Sequence, residues 1–325
     1  MAVIGFQYPV ASSQQDSKSS GIREKLLGFL QSSRQDGDED VRPKNHVLAT
    51  YVDPASYHNE AIFAYWPSAS AYSTWTEKSG FAAFWEDFNP NQGGEVGWFL
   101  EVFSPSMDRF ETVFSNDTLP EGAAHMRERV SGPVSEHVYW GSMRDRLAVS
   151  QRDGLEGEAR EGVEVRDTKS RRIRVAGSKN LCVIRSGQDW SGTNERERKL
   201  YLETMHPVLV KGMEFLTNEG SEVGCLNNRF MDVVNHSDPT RPTDKTFGLG
   251  YFDSIASLEG WSKQHKTHLD IFGRFLQYTA ELQNNVTLRL FHEVVVLRPE
   301  QQFFEYVGCH PGTGLLGSMA VDVAS

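Results

Sequence analysis

Two histidines in this chain have the residue types around them to do chemistry. His268 stands in Lys266-Thr267-His268-Leu269-Asp270-Ile271-Phe272, where His268, Ile271, Phe275, Tyr278 and Leu282 recur at helical spacing and share one face. His292 stands in Leu288-Arg289-Leu290-Phe291-His292-Glu293-Val294-Val295-Val296, a run of aromatic and β-branched residues without Gly or Pro that predicts a buried or half-buried strand. Both rings turn inward, where an imidazole needs a partner. Two readings follow. Both can be hydrogen-bonded core histidines, since histidine is intermediate in burial. Alternatively one neutral imidazole ligates a metal such as iron while the other, unligated, moves protons near neutral pH. Spacing leaves both open.

Other candidates are sparser. Glu111 lies between Phe110 and Thr112 in a strand-like run, Phe110–Phe114, and a carboxylate there is expected on the solvated face. Arg144-Asp145-Arg146 reads as a surface charge cluster or, through the guanidinium fork, as a clamp for an anion or oxygen. Ser186 and Gly187 follow the strand Leu181–Arg185, either as a turn or to present Oγ to a cavity.

The elements that must position these residues alternate between strands and helices. Strands are expected over 3–9, 46–52, 61–66, 96–103, 110–114, 181–185, 246–252 and 302–307, with a helix over 21–32. Asn194 and Glu197 open a further helix as a capping box; Pro207 bends it and Gly220 stops it. A faint repeat links the halves. Trp66 to Trp75 and Phe252 to Trp261 are the same nine residues apart, each after a strand and leading into a helix, which suggests two copies of one α+β unit. In the second copy His268 falls where the first has aromatic core residues. The expected organisation is an N-terminal half over 1–150, a connector over 151–180 and a C-terminal half over 181–325.

Composition narrows the function. At 325 residues, 38% hydrophobic and 11% aromatic, the chain has enough for a packed interior. A net charge of −11 disfavours nucleic acid and anionic membranes. No apolar run spans a bilayer and the N-terminus lacks signal-peptide features, so a cytoplasmic protein is expected. Three well-separated cysteines, Cys182, Cys225 and Cys309, argue against a disulfide framework, and the absence of Cys-x-x-Cys-His excludes covalent c-type haem attachment.

Five segments carry a resemblance: residues 136–146, from Glu136 to Arg146; Ile184-Arg185-Ser186-Gly187-Gln188-Asp189-Trp190; Thr267-His268-Leu269-Asp270-Ile271-Phe272; Leu290-Phe291-His292-Glu293-Val294; and Cys309-His310-Pro311. In type and order, from about residue 46 to 315, they resemble the haem-containing aldoxime dehydratases. That resemblance implies an α+β fold of ferredoxin-like repeats, a dimeric α+β barrel-type assembly holding one b-type haem per chain, and a homodimer. It further implies haem-dependent dehydration of aldoximes to nitriles, a lyase reaction on ferrous haem. By the same resemblance His268 matches the axial haem ligand and His292 the distal acid-base histidine. Arg146 and Ser186 match distal residues that contact the oxime, and Glu111 matches the carboxylate near the distal histidine. Two departures are a start close to the first strand, without the extension of bacterial members, and a few extra residues near Gln283–Thr287. His46, His58, His125, His137, His206, His236 and His265 are expected to be ordinary surface or core histidines, while His310 sits in a matched motif without a derived role. The competing classes are another haem enzyme of the dimeric α+β barrel kind, peroxidase-like, a non-catalytic haem carrier or sensor, and a module without haem.

Overall fold

The computed structural model describes residues 1–11, 15–31, 41–90, 95–132, 140–158, 167–238, 241–318 and 321–323. The stretch 136–139 of the first matched segment and most of the charged loop at 33–44 fall outside the described residues. The first unit runs β1 (Ala2–Pro9), α1 (Gln15–Gln31), β2 (Asn45–Val52), β3 (Tyr57–Tyr65), α2 (Ala69–Lys78), α3 (Phe81–Glu86) and β4 (Gly97–Phe103). After β5 (Phe110–Phe114) and β6 (Arg172–Val175), the second unit runs β7 (Leu181–Asp189), α4 (Glu195–Leu200), α5 (His206–Asn218), β8 (Cys225–Val234), β9 (Pro242–Phe252), α6 (Ile255–Gln264), α7 (Lys266–Glu281) and β10 (Arg289–Leu297). Then come β11 (Gln302–Val307) and β12 (Val321–Val323).

All twelve described strands join one sheet, in the order β12-β6-β11-β4-β1-β3-β2-β8-β9-β7-β10-β5, and the strand pairs are antiparallel. Within it the first unit is ordered β4-β1-β3-β2 and the second β10-β7-β9-β8, the same connectivity twice. The units meet through a short β2–β8 ladder at Ala49 with Val233 and Thr50 with Asp232. Each also lends a strand outward: β5 pairs with β10, and β11 returns to β4.

The sheet curls so that the two units face each other. Tyr65 on β3 donates to Glu293 on β10 at 2.7 Å, while Tyr251 on β9 donates to Glu101 on β4 at 2.5 Å. Each glutamate also holds a buried arginine, Arg185 to Glu293 and Arg229 to Glu101. These paired contacts place Val3, Phe63, Phe99, Phe247 and Leu249 in an inner core. Helices cover the outer faces. On the first unit α1, α2 and α3 pack Leu26, Leu30, Trp75, Phe81 and Trp85 against Ile4, Phe6, Ile62 and Leu100, filling the space with aromatic rings.

The repeated anchors share local geometry. Ser68 caps α2 by accepting from the Ala71 amide, and Ser254 caps α6 by accepting from the Ser257 amide, both with extended backbone. Differences from the sequence reading are local. The strand expected over 181–185 continues to Asp189, putting Ser186 in mid-strand. The helix expected to bend at Pro207 instead opens a π-helical turn at Tyr201–Met205, next to the proline that cannot donate an amide. Among the described residues no helix is long and apolar enough to cross a membrane.

Candidate functional site

The outer face of the second unit is where the two copies diverge. Here α5, α6 and α7 stand over β7, β9 and β10 and leave a cavity of about 310 Å³. Leu209, Met213 and Leu216 of α5 and Ile271, Phe272 and Phe275 of α7 form its helical wall, with Ile184, Ser186, Gly248, Gly250, Leu290 and His292 on the sheet side. A Cβ on Gly248 would come within 2.8 Å of Met213 Sδ, so the absent side chain lets the helix lie close over the strand.

Both histidines line this cavity, His268 from the helical wall and His292 from the sheet. Each ring is set edge-on to a tryptophan: His268 on Trp261 at 4.7 Å between centroids, His292 on Trp140 at 4.9 Å. Ser186 is the residue directly opposite His292 in the β7–β10 ladder and lines the same space. Nδ1 of each imidazole is buried without a hydrogen-bond partner, which costs about 1–3 kcal/mol for a polar group. Satisfied core histidines would not show this. Burial draws the His268 pKa down to about 4, with the Ser262 backbone acting to raise it. His292 falls to about 3, from burial first and then from the charges of His268 and Arg146. In the chain as it stands both rings are neutral at pH 7.

Arg146 and Glu111, set by the resemblance in the distal pocket, line a neighbouring recess that shares Ser115 with the cavity. They are bound to each other. Arg146 donates through Nε and Nη2 to the two Glu111 oxygens at 2.5 and 2.7 Å. Their side chains are 5% and 7% exposed, which corrects the expectation of a solvated carboxylate and of a surface charge cluster. The same guanidinium donates to the Trp140 carbonyl at 2.8 Å and the Ser142 carbonyl at 3.3 Å. Arg144 turns the other way: its amide and Nε donate to Glu259 on α6, at 3.0 and 3.5 Å. Glu111 therefore meets His292 through Arg146 and Trp140.

Sequence reasoning passed over Trp140, Trp261, Tyr201 and Met205, which also line the cavity. Trp140 lay inside a matched segment and Trp261 anchored the repeat, so both carried a signal. Tyr201 and Met205 reach the cavity from the π-helical turn. His310 is placed elsewhere, under the first unit, where Nε2 lies 2.8 Å from Asp53 and Nδ1 accepts from the Gly312 amide.

The site suits a flat, largely apolar group carrying a metal. The helical wall is apolar, yet Ile271 and Phe275 are only half-buried, and Phe272 is 39% exposed, where they border the cavity. A neutral imidazole with a buried, unpaired Nδ1 stands on each side, a donor set able to offer a metal ligand and a group for proton transfer. Haem fits this donor set.

Comparison with known proteins agrees. Residues 2–315 match the family model described as haem-containing dehydratase. The chain is 36% identical over 318 residues to an aliphatic aldoxime dehydratase of Rhodococcus erythropolis, covering 97% of this chain and 86% of that protein. It is 31% identical over 305 residues to phenylacetaldoxime dehydratase of a Bacillus species, covering 92% and 84%. A crystal structure of an aldoxime dehydratase with butyraldoxime superposes with a TM-score of 0.86 at 32% identity, covering 98% of this chain and 85% of that one. A family match along almost the whole chain, with relatives above 30% identity over the same span, makes this protein a member of the haem-containing dehydratases.

Proposed function

We propose that the protein dehydrates aldoximes to nitriles with haem, which His268 would hold through its iron, and with His292 as the proton carrier. The observation that carries this reading is the pair of half-buried imidazoles on opposite walls of one cavity, each with a buried, unpaired Nδ1. The reaction is redox-neutral overall: R-CH=N-OH loses its C–H and N–O bonds, gains one carbon–nitrogen bond order and releases water. When bound, ferrous haem would supply electron density that weakens the N–O bond of the oxime.

The chain's own residues handle the proton. His292 gives a proton to the departing oxygen and recovers one from the aldoxime carbon, so one imidazole cycling between two states suffices. Ser186, opposite His292 on the neighbouring strand, holds the oxime hydroxyl in line with that donor. Arg146 and Glu111 fix the turn that carries Trp140. The same reading takes the haem as b-type, each βαββαβ unit as ferredoxin-like, the halves as separated near residues 151–180, and the active form as a cytoplasmic homodimer.

The test is to purify the protein with haem, reduce it and add butyraldoxime under argon. Nitrile formed in step with oxime loss is the expected result. Peroxide turnover without nitrile would instead favour a peroxidase-like haem enzyme of the same fold class, and a spectrum unchanged by aldoxime would favour a haem carrier.

A further inference from the structure

The short segment from Trp140 to Arg146 is fastened on both sides of the cavity. Toward the sheet edge, Arg146 is held bidentately by Glu111 on β5 and reaches back to the Trp140 carbonyl. Toward the helices, Arg144 is held by Glu259 on α6, the helix that also supplies Trp261. Neither arginine is among the residues lining the cavity, whereas Trp140 is. Its indole stands edge-on to His292, with 76° between the planes. The clamp thus ends on a large rigid side chain placed against the proton-carrying ring.

We propose that Trp140 is the size-selecting wall on the His292 side of the cavity, and that Arg146 and Glu111 act through it as positioning residues without touching substrate. The indole bounds the space beside His292, so it limits the group that the aldoxime carbon can carry. The two glutamates fix where that wall stands. This rests on the function proposed above.

The experiment compares haem-loaded wild type, Trp140→Phe, Trp140→Ala, Glu111→Gln and the double variant Glu111→Gln/Trp140→Ala with butyraldoxime and phenylacetaldoxime. It measures kcat and KM, and equilibrium binding from the Soret change under argon. Trp140→Ala is expected to raise the kcat/KM ratio for phenylacetaldoxime over butyraldoxime by about tenfold or more, in the range a pocket wall commands. The binding ratio moves the same way, and Trp140→Phe lies between. Glu111→Gln shifts the ratio in the same direction and adds little once Trp140 is gone, the signature of one residue acting through another.

A Trp140→Ala or Trp140→Phe enzyme that makes nitrile with both ratios unchanged overturns the assignment of the wall. Full additivity in the double variant overturns the positioning role. Wild-type enzyme that yields no nitrile from either aldoxime overturns the functional reading and this inference with it.

Discussion

Ser186 and His292 stand directly opposite each other in the antiparallel β7–β10 ladder. Such a pair holds its Cβ atoms about 4.5–5.5 Å apart, so hydroxyl and imidazole reach the same small volume from a rigid base. Ser186→Ala is expected to lower kcat by about 100-fold, the scale for losing one aimed donor. Haem content and the Soret band of the variant should match wild type. Loss of haem in proportion to activity would make Ser186 structural instead.

His268 stands on α7, so His268→Ala removes the proposed haem ligand without altering the sheet. The variant should purify without stoichiometric haem and lack the Soret band. Added imidazole, small enough for the vacated space, should restore part of the absorbance. Retained stoichiometric haem in the variant would refute the ligand assignment.

His292→Ala should bind haem and butyraldoxime as wild type does, because neither depends on this ring. Its kcat should fall by about 100- to 10,000-fold, the usual contribution of a positioned acid-base group. Near-normal turnover would remove His292 from the proton-carrying role.

How much of this was legible in the chain depends on the range of the forces involved. The strand around His292 and the helix around His268 were readable because side-chain periodicity is local. Ser186-Gly187 admitted a turn as well as a hydroxyl presented to a cavity, because glycine often marks a turn. In the structure the Phe291 ring occupies the space over Gly187, where a Cβ would come within 2.0 Å of it, so packing across strands demands the glycine. The burial of Glu111 was not readable at all, since its partner Arg146 lies 35 positions away in another element. The repeat was visible in its nine-residue spacing, but not the curl that sets Tyr65 against Glu293 and Tyr251 against Glu101.

The curl leads to a stability prediction. Glu101 is fully buried and accepts from Arg229, Tyr251 and Tyr306. Glu101→Ala would leave the Arg229 guanidinium, itself 2% exposed, without its counter-charge. Removing one partner of a buried ion pair costs about 3–5 kcal/mol. Urea unfolding should show that loss. A loss under about 1 kcal/mol would mean that other groups carry the junction.

Glu197 links α4 to the stretch before β10. Its carboxylate accepts from the Thr287 and Leu288 amides, the Thr287 hydroxyl and the Tyr278 hydroxyl. Burial alone would raise its pKa, but hydrogen bonds from Thr287, Leu288 and Tyr278 outweigh it and hold the carboxyl below the usual 4.5. A depressed carboxylate stabilises the fold above its unfolded pKa, and that contribution is lost as pH falls through the folded value. Wild type should therefore lose stability below about pH 4.5 more steeply than Glu197→Gln, which cannot ionise. At pH 7 the variant should be less stable by about 1.5–3 kcal/mol, the scale for hydrogen bonds to a charged group. Melting temperatures followed from pH 7 to pH 3 check both, and parallel curves for the two proteins would show that the Glu197 charge does not hold this junction.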